Sequence, residues 1–374
     1  MTVKGWCPGA YKPMMSGDGL ILRVRPRMGR LTREQILGLC AVSADNGNGI
    51  IDLTSRANLQ LRGITDHAAA LDALLALDLL DPTPAAETRR NIVVAPLWSD
   101  GDLTHRLHDA ICARLHELPA LPVKIGIAID TGAQPILQDT SADFRFERGA
   151  EDTLILRADG ASGGRAITKA TAMDALIELA TWCAKHINPQ ARRVARIVHN
   201  TPLPAAWTEA RAQTNGDSLA PGPTPVGAAF GAPFGSTDSH ALAALVTDSG
   251  AKGLRVTPWR VFVLEGAEAR DAHGFVTTSG DPLLRTHACP GAPACAAASV
   301  GTRTLARALA GTYTDLHVSG CTKGCAHPKA AAMTLVGRDG AYDLVAQGNP
   351  WDQPCKRGLS ATDLLTLKAT PDAL

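Results

Sequence analysis

The chain has 374 residues, 45% hydrophobic but only 4% aromatic, and its 37 basic side chains nearly cancel 36 acidic ones for a formal net charge of +1. That length points to two or three domains, and the balanced charge and scarce aromatic rings give no general platform for a nucleic acid. No run approaches the roughly 20 apolar residues of a membrane span, no N-terminal stretch resembles a signal peptide, and nine cysteines, an odd number, suit a reducing cytoplasm better than a disulfide framework.

The N-terminal run GWCPGAYKPMMSGDGLILRVRPRMG leads into a strand on which Arg23 and Arg25 alternate, so period two puts both on one face. A helix is expected from Thr32, with Glu34 and Gln35 in its first turn, followed by a strand in LTSRANLQLRG that Arg56 and Arg62 flank. This plan returns later in the chain. Residues 20–63 share it with 228–266: Gly29 answers Gly235 and Leu39 answers Leu245. After a three-residue slip, Thr54 answers Thr257, Leu61 answers Leu264 and Gly63 answers Gly266. Identity at turn glycines and strand-start threonines indicates a duplication. The second helix is expected to start at Ser236 or Thr237, with Asp238 in its first turn.

Between the copies, NIVVAP reads as a short strand, 102–118 as an amphipathic helix, VKIGIAID and TLILRA as strands, and 170–187 as a second helix. GASGG at 160–164 reads as a hairpin turn, and no G-x-G-x-x-G follows a strand. The Pro/Gly-rich GDSLAPGPTPVG at 216–227 marks a seam. After the second copy, RTHACPGAPACAAASVGTRTLARALAG reads as a loop entering a helix. TDLHVSG and AAMTLVG are strands beside a second cysteine loop.

The two loops contain Cys289-x5-Cys295 and Cys321-x3-Cys325, with 25 residues between the pairs. Four thiolates suit a 4Fe-4S cubane, and soft sulfur selects iron–sulfur or zinc over hard cations. The surrounding Gly, Ala, Pro and Ser let backbone crowd around a large inorganic body. A structural zinc site remains open, although x5 is long for its paired ligands. Cys7, Cys40, Cys112, Cys183 and Cys355 are scattered, and the middle three fall on helical apolar patterns where a buried thiol is expected.

The cysteine pairs and the order of half, domain, half, domain resemble the sulfite and nitrite reductase hemoprotein superfamily over essentially the whole chain. Cys-Pro-Gly, Pro-Met and Gly-Asp-Gly-Leu before an Arg-x-Arg strand, with HACPGAPACA and HVSGCTKGCAHP, are similar to its precorrin-3B synthase branch. The resemblance implies an α+β, duplicated sulfite/nitrite reductase-like fold. Two ferredoxin-like half-repeats, 1–80 and 216–268, would join in one domain, beside two α/β cofactor-binding domains, 81–215 and 269–374. It further implies a 4Fe-4S cluster on Cys289, Cys295, Cys321 and Cys325. The implied reaction is O2-dependent hydroxylation of C20 of precorrin-3A with γ-lactone formation, fed by a separate NADH-dependent electron donor protein.

Such a substrate is a metal-free tetrapyrrole rimmed by carboxylates, which arginine forks suit. The implied binding residues are Arg23, Arg25, Arg56, Arg62 and Lys124, with Arg25 and Arg56 the best matches and Lys124 also the catalytic candidate. Superfamily reductases carry two lysines, one residue apart, after Leu-Pro. Here LPVKIGIAID keeps Lys124 but has Gly126 in the second position, which weakens proton delivery to sulfite or nitrite and makes room. The family is also associated with a mononuclear non-haem iron, for which His287, His317 and His327 are candidates, each equally readable as a hydrogen-bonded loop residue. In siroheme enzymes the last cysteine, here Cys325, also bridges to haem iron. Siroheme-dependent sulfite or nitrite reduction stays open, as does a non-enzymatic tetrapyrrole- or zinc-binding module. Arg27, Arg30 and Arg33 read as solvated charges, and Arg89 and Arg90 as cleft residues or helix C-terminal charges.

Overall fold

A computed structural model describes residues 8–368; Cys7 lies outside them. The first copy of the repeat forms an antiparallel sheet in the order Met14–Ser16, Gly19–Val24, Leu59–Ile64, Ile50–Leu53. The second repeats that order with Gly222–Thr224, Gly227–Gly231, Val261–Glu265 and Gly253–Val256. Each sheet is then completed by a strand from the other copy. Ser236–Asp238 pairs with Ile50–Asp52, and Arg30–Thr32 pairs with Gly253–Arg255.

The helices Arg33–Asn46 and Ser239–Asp248 lie over these sheets and close one continuous apolar core, in which Leu22, Leu31, Leu39, Leu254 and Phe262 are essentially inaccessible. Burying each such side chain is worth roughly 1.5–3 kcal/mol, so the halves hold together by shared burial as well as by strand exchange. Thr32 opens the first helix with a capping box: its hydroxyl accepts from Gln35 N at 3.2 Å while Gln35 Oε1 accepts from Thr32 N at 3.0 Å. The second helix starts later than expected. Asp238 is its cap, accepting from Ala241 N at 3.0 Å, because Ser236 and Thr237 belong to the exchanged strand.

Backbone strain repeats with the sequence. Met28 and Gly29 lie at φ 55° and 66°, Phe234 and Gly235 at 61° and 71°, and the non-glycine residues Ala57 and Arg260 at 52° and 61°. A left-handed non-glycine residue costs roughly 1–2 kcal/mol, so its recurrence at matching positions is what a duplicated frame leaves behind. Both hairpins also end on a glycine against the next strand. A Cβ at Gly19 would lie 2.9 Å from Gly63 Cα, and one at Gly227 only 2.0 Å from Leu264 O.

A six-stranded mixed sheet has the order Ala210–Arg211, Gly163–Ala166, Leu154–Ala158, Phe144–Arg148, Ile127–Asp130, Ile92–Val94, with helices Leu103–Arg114 and Ala172–His186 packed on it. GASGG is the turn of its Leu154–Ala158 to Gly163–Ala166 hairpin. The strand expected over VKIGIAID begins only at Ile127, so Lys124 lies in an exposed turn. The fourth sheet runs Thr286–Ala288, Leu316–Ser319, Ala331–Arg338, Ala341–Gly348, Lys356–Leu359, its first three strands parallel. Burial pushes the thiols of Cys40 and Cys183 up to about 12 and that of Cys112 to about 11, as expected of core cysteines. Among the described residues, no helix is long and apolar enough to cross a membrane.

Gly227→Ala must push Leu264 away at a φ of 149°. The substitution should cost more than about 1 kcal/mol, seen as a lower melting temperature; an unchanged melting curve would contradict this account of the hairpin.

Candidate functional site

Two loops of the fourth sheet carry the four cysteines. The first follows Thr286–Ala288 and holds Cys289 and Cys295; the second follows Leu316–Ser319 and holds Cys321 and Cys325. Because the two strands are parallel neighbours, the loops leave the sheet side by side. All four thiols are free, and they gather: burial raises the Cys325 pKa, and Cys289, Cys321 and Cys295 raise it further. Close thiols with no disulfide between them, set in backbone that Gly291, Gly320 and Gly324 allow to crowd, fit a metal cluster. A Cβ at Gly320 would lie 2.6 Å from that of Ala298, and one at Gly324 2.6 Å from Pro350.

Histidines flank this centre. His287 and His317 are register partners on adjacent strands, and the rings of His287 and His327 stand 3.9 Å apart. His317 Nε2 lies 3.8 Å from Cys289 Sγ. His287, Asp315 and His327 each offer one ligand atom within 4.8 Å of the others. Burial first, and then Arg260 and the neighbouring histidines, push the His287 pKa down to about 2, while burial and His327 bring His317 to about 4. Both rings are therefore neutral and keep a lone pair for a metal. Asp315 was not singled out in the sequence, where its only signal is the alternation Asp315-x-His317.

The first sheet presents a polar face opposite its helix. The register sets Arg23 beside Gln60 and Gln60 beside Asp52, and period two adds Arg62. At one end Arg62 reaches the cysteine loop, donating to the Ala294 carbonyl at 3.2 Å. At the other, Arg25 Nη1 donates to Glu87 at 2.9 Å, and Arg90 donates to Glu87, to Asp81 and, at 2.6 Å, to the Arg25 carbonyl. Arg89 turns away to the His116 carbonyl. Of the arginines read as solvated, Arg30 pairs with Glu265 at 2.8 Å, Arg27 with Asp81 at 3.2 Å, and Arg33 donates to the carbonyls of Val246 and Ala251 in the other half.

Arg56 Nη2 donates to Ser141 Oγ at 3.2 Å, and Arg193 Nη2 reaches the same hydroxyl at 3.3 Å. Arg193 is pinned by Asp143, a fully buried carboxylate that also accepts from Gly126 N at 3.0 Å and Val194 N at 3.0 Å. Arg192, Arg193, Arg196 and His199 line one groove of about 610 Å³. Arg193 escaped the sequence reading because ARRVAR looks like any basic surface run. Lys124 lies two residues before Gly126, exposed. The space beside Gly126 is filled: a Cβ there would lie 2.9 Å from Asn91 Nδ2, which itself donates to Ile125 O.

Comparison with known proteins decides the family. Residues 12–77 match the nitrite/sulfite reductase ferredoxin-like half domain. The chain is 32% identical, over 92% of its length, to a precorrin-3B synthase from Sinorhizobium sp, and covers 83% of that protein. The chain belongs to the precorrin-3B synthase family. The structure of the Mycobacterium tuberculosis NirA protein covers 93% of the chain with a TM-score of 0.60 at 17% identity, over 79% of that chain, which shows the shared duplicated reductase fold. Precorrin-3B synthase membership thus goes with a reductase architecture.

Gly126→Lys has to displace Asn91. Overpacking of this kind should cost about 1–3 kcal/mol, read as a lower melting temperature. A variant as stable as the parent would mean that the position is open, as the sequence alone suggests.

Proposed function

We propose that the chain is a precorrin-3B synthase that uses O2 to hydroxylate C20 of precorrin-3A, with a ring A acetate closing the γ-lactone. The observation that carries this reading is the kinship over 92% of the chain with a protein of that name, joined to a gathered set of four thiols beside an arginine-bearing sheet face. A separate NADH-dependent protein supplies the electrons, since the chain has no G-x-G-x-x-G after a strand.

Cys289, Cys295, Cys321 and Cys325 would hold a 4Fe-4S cluster, which when bound supplies one-electron transfer. His287, Asp315 and His327 would hold a mononuclear iron, because two histidines and one carboxylate with open positions are the set that non-haem Fe(II) oxygenases use for O2 chemistry. His317, beside Cys289, is left to the cluster's surroundings.

The chain's own residues bind and orient. Arg56 and Arg193, converging on Ser141, offer forks to the peripheral carboxylates of the tetrapyrrole, with Arg192 and Arg196 extending the positive groove. Arg23 would add a contact from the first sheet, and Arg25 would add one only by leaving its ion pair with Glu87. Lys124, exposed in its turn, is the proton-donor candidate. A basic cleft that grips several carboxylates fixes the macrocycle's rotation, and hence which meso carbon is presented.

Metal and sulfide analysis of anaerobically purified protein tests the reading, together with extraction of any siroheme. Cys295→Ser should remove acid-labile sulfide, the broad visible absorption and activity together. His287→Ala should lower iron by about one atom per chain while leaving sulfide intact. Activity that outlives the cluster, or stoichiometric siroheme in the parent protein, would overturn the proposal and favour sulfite or nitrite reduction.

A further inference from the structure

Arg62 stands on the polar sheet face, yet its guanidinium is engaged on every side. The residue is 5% exposed. Its Nε and Nη2 donate to the two oxygens of Asp18, both at 3.0 Å, Nη1 meets Asp52 at 3.4 Å, and Nη2 also reaches Ser16 Oγ at 3.3 Å and the Ala294 carbonyl at 3.2 Å. Ala294 immediately precedes Cys295. Ser16 Oγ donates to the same carbonyl at 2.9 Å. Between Ser16 and Asp18, Gly17 lies flat against the loop: a Cβ there would lie 2.7 Å from Pro293 O and 2.8 Å from Ala296 N. The tip of the first hairpin is thus a fitted seat for residues 293–296.

The second copy carries the same device with its charges exchanged. The register that relates Leu61 to Leu264 sets Arg62 against Glu265 and Asp52 against Arg255, and Arg255 Nε donates to Glu265 at 2.6 Å. Arg255 also reaches outward, to the carbonyls of Pro96 and Trp98 at 2.7 Å and 2.6 Å, with its guanidinium 4.3 Å above the Trp98 ring. Residues 95–98 follow the strand Ile92–Val94 as residues 289–295 follow Thr286–Ala288. Each half of the repeat therefore grips the loop after the leading strand of a three-stranded parallel run. Only one of those loops carries cysteines.

We infer that Arg62 is a positioning residue for the Cys289–Cys295 loop and not a substrate ligand. With Ser16, Gly17 and Asp18 it fixes the Ala294 carbonyl, and through it the Cys295 thiol. A charge-assisted, nearly dry hydrogen bond to a loop carbonyl is a strong restraint. The inference rests on the reading of the four thiols as cluster ligands.

The test compares Arg62→Met, Ser16→Ala and, as control, Arg255→Met in anaerobically purified full-length protein. The readouts are the rate at which a ferrous chelator bleaches the visible absorption, and the electron paramagnetic resonance signature of the reduced cluster. Arg62→Met should accelerate cluster loss on the order of tenfold and alter the signature, Ser16→Ala should do so more weakly, and Arg255→Met should match the parent below its melting temperature. If Arg62→Met does not fold, Ser16→Ala decides. Parent-like release and signature in both hairpin variants, or equal acceleration in the Arg255 control, would overturn the inference alone. A parent protein without iron and sulfide would instead remove the cluster reading beneath it.

Discussion

Ser236–Asp238 completes the first central sheet and Arg30–Thr32 completes the second, so neither half of the repeat can close its own backbone hydrogen bonds. This exchange, with the single apolar core beneath helices Arg33–Asn46 and Ser239–Asp248, turns two similar half-sheets into one body of fixed geometry. The polar face of the first sheet depends on that rigidity. A frame able to breathe between its halves could not hold Arg62 against a loop carbonyl 232 residues away in sequence.

The duplicated frame has diverged in chemistry while keeping its geometry. In the first copy the outward face carries Arg23 and Gln60, which pair across the strands; in the second, the matching pair is Ala229 and Val263, which form a small apolar cluster with Val261. The inverted pairs Arg62–Asp52 and Glu265–Arg255 show how one steric solution survives a swap of charge. Burial would raise the Glu265 carboxyl, but hydrogen bonds from Arg30 and Arg255 hold it below its ordinary value. One copy faces a cysteine loop and the other an indole, so two nearly equivalent halves meet unlike chemical surroundings.

Local signals in the sequence carried far. The helix start at Thr32 and the matching turn glycines Gly29 and Gly235 are each encoded within a few residues, and each appears where the residues put it. What escaped was long-range. Three-residue strands such as Arg30–Thr32 are too short for periodicity, so the exchange left no trace. Arg62 alternates correctly with Gln60 for a site residue, but its fate depends on Asp18, 44 residues earlier. Gly126 reads as a vacancy until Asn91 is found filling it. Asp315 joins His287 and His327 only because the strand Leu316–Ser319 runs beside Thr286–Ala288.

Oxygenation of a tetrapyrrole is the activity proposed for this reductase-type frame. Its most direct test is incubation of the anaerobically loaded protein with precorrin-3A, reductant and isotopically labelled dioxygen, followed by mass analysis of the product. A single labelled oxygen in a lactone-bearing product is expected. Turnover without label, or no tetrapyrrole product from a protein that reduces sulfite or nitrite under the same conditions, would contradict it.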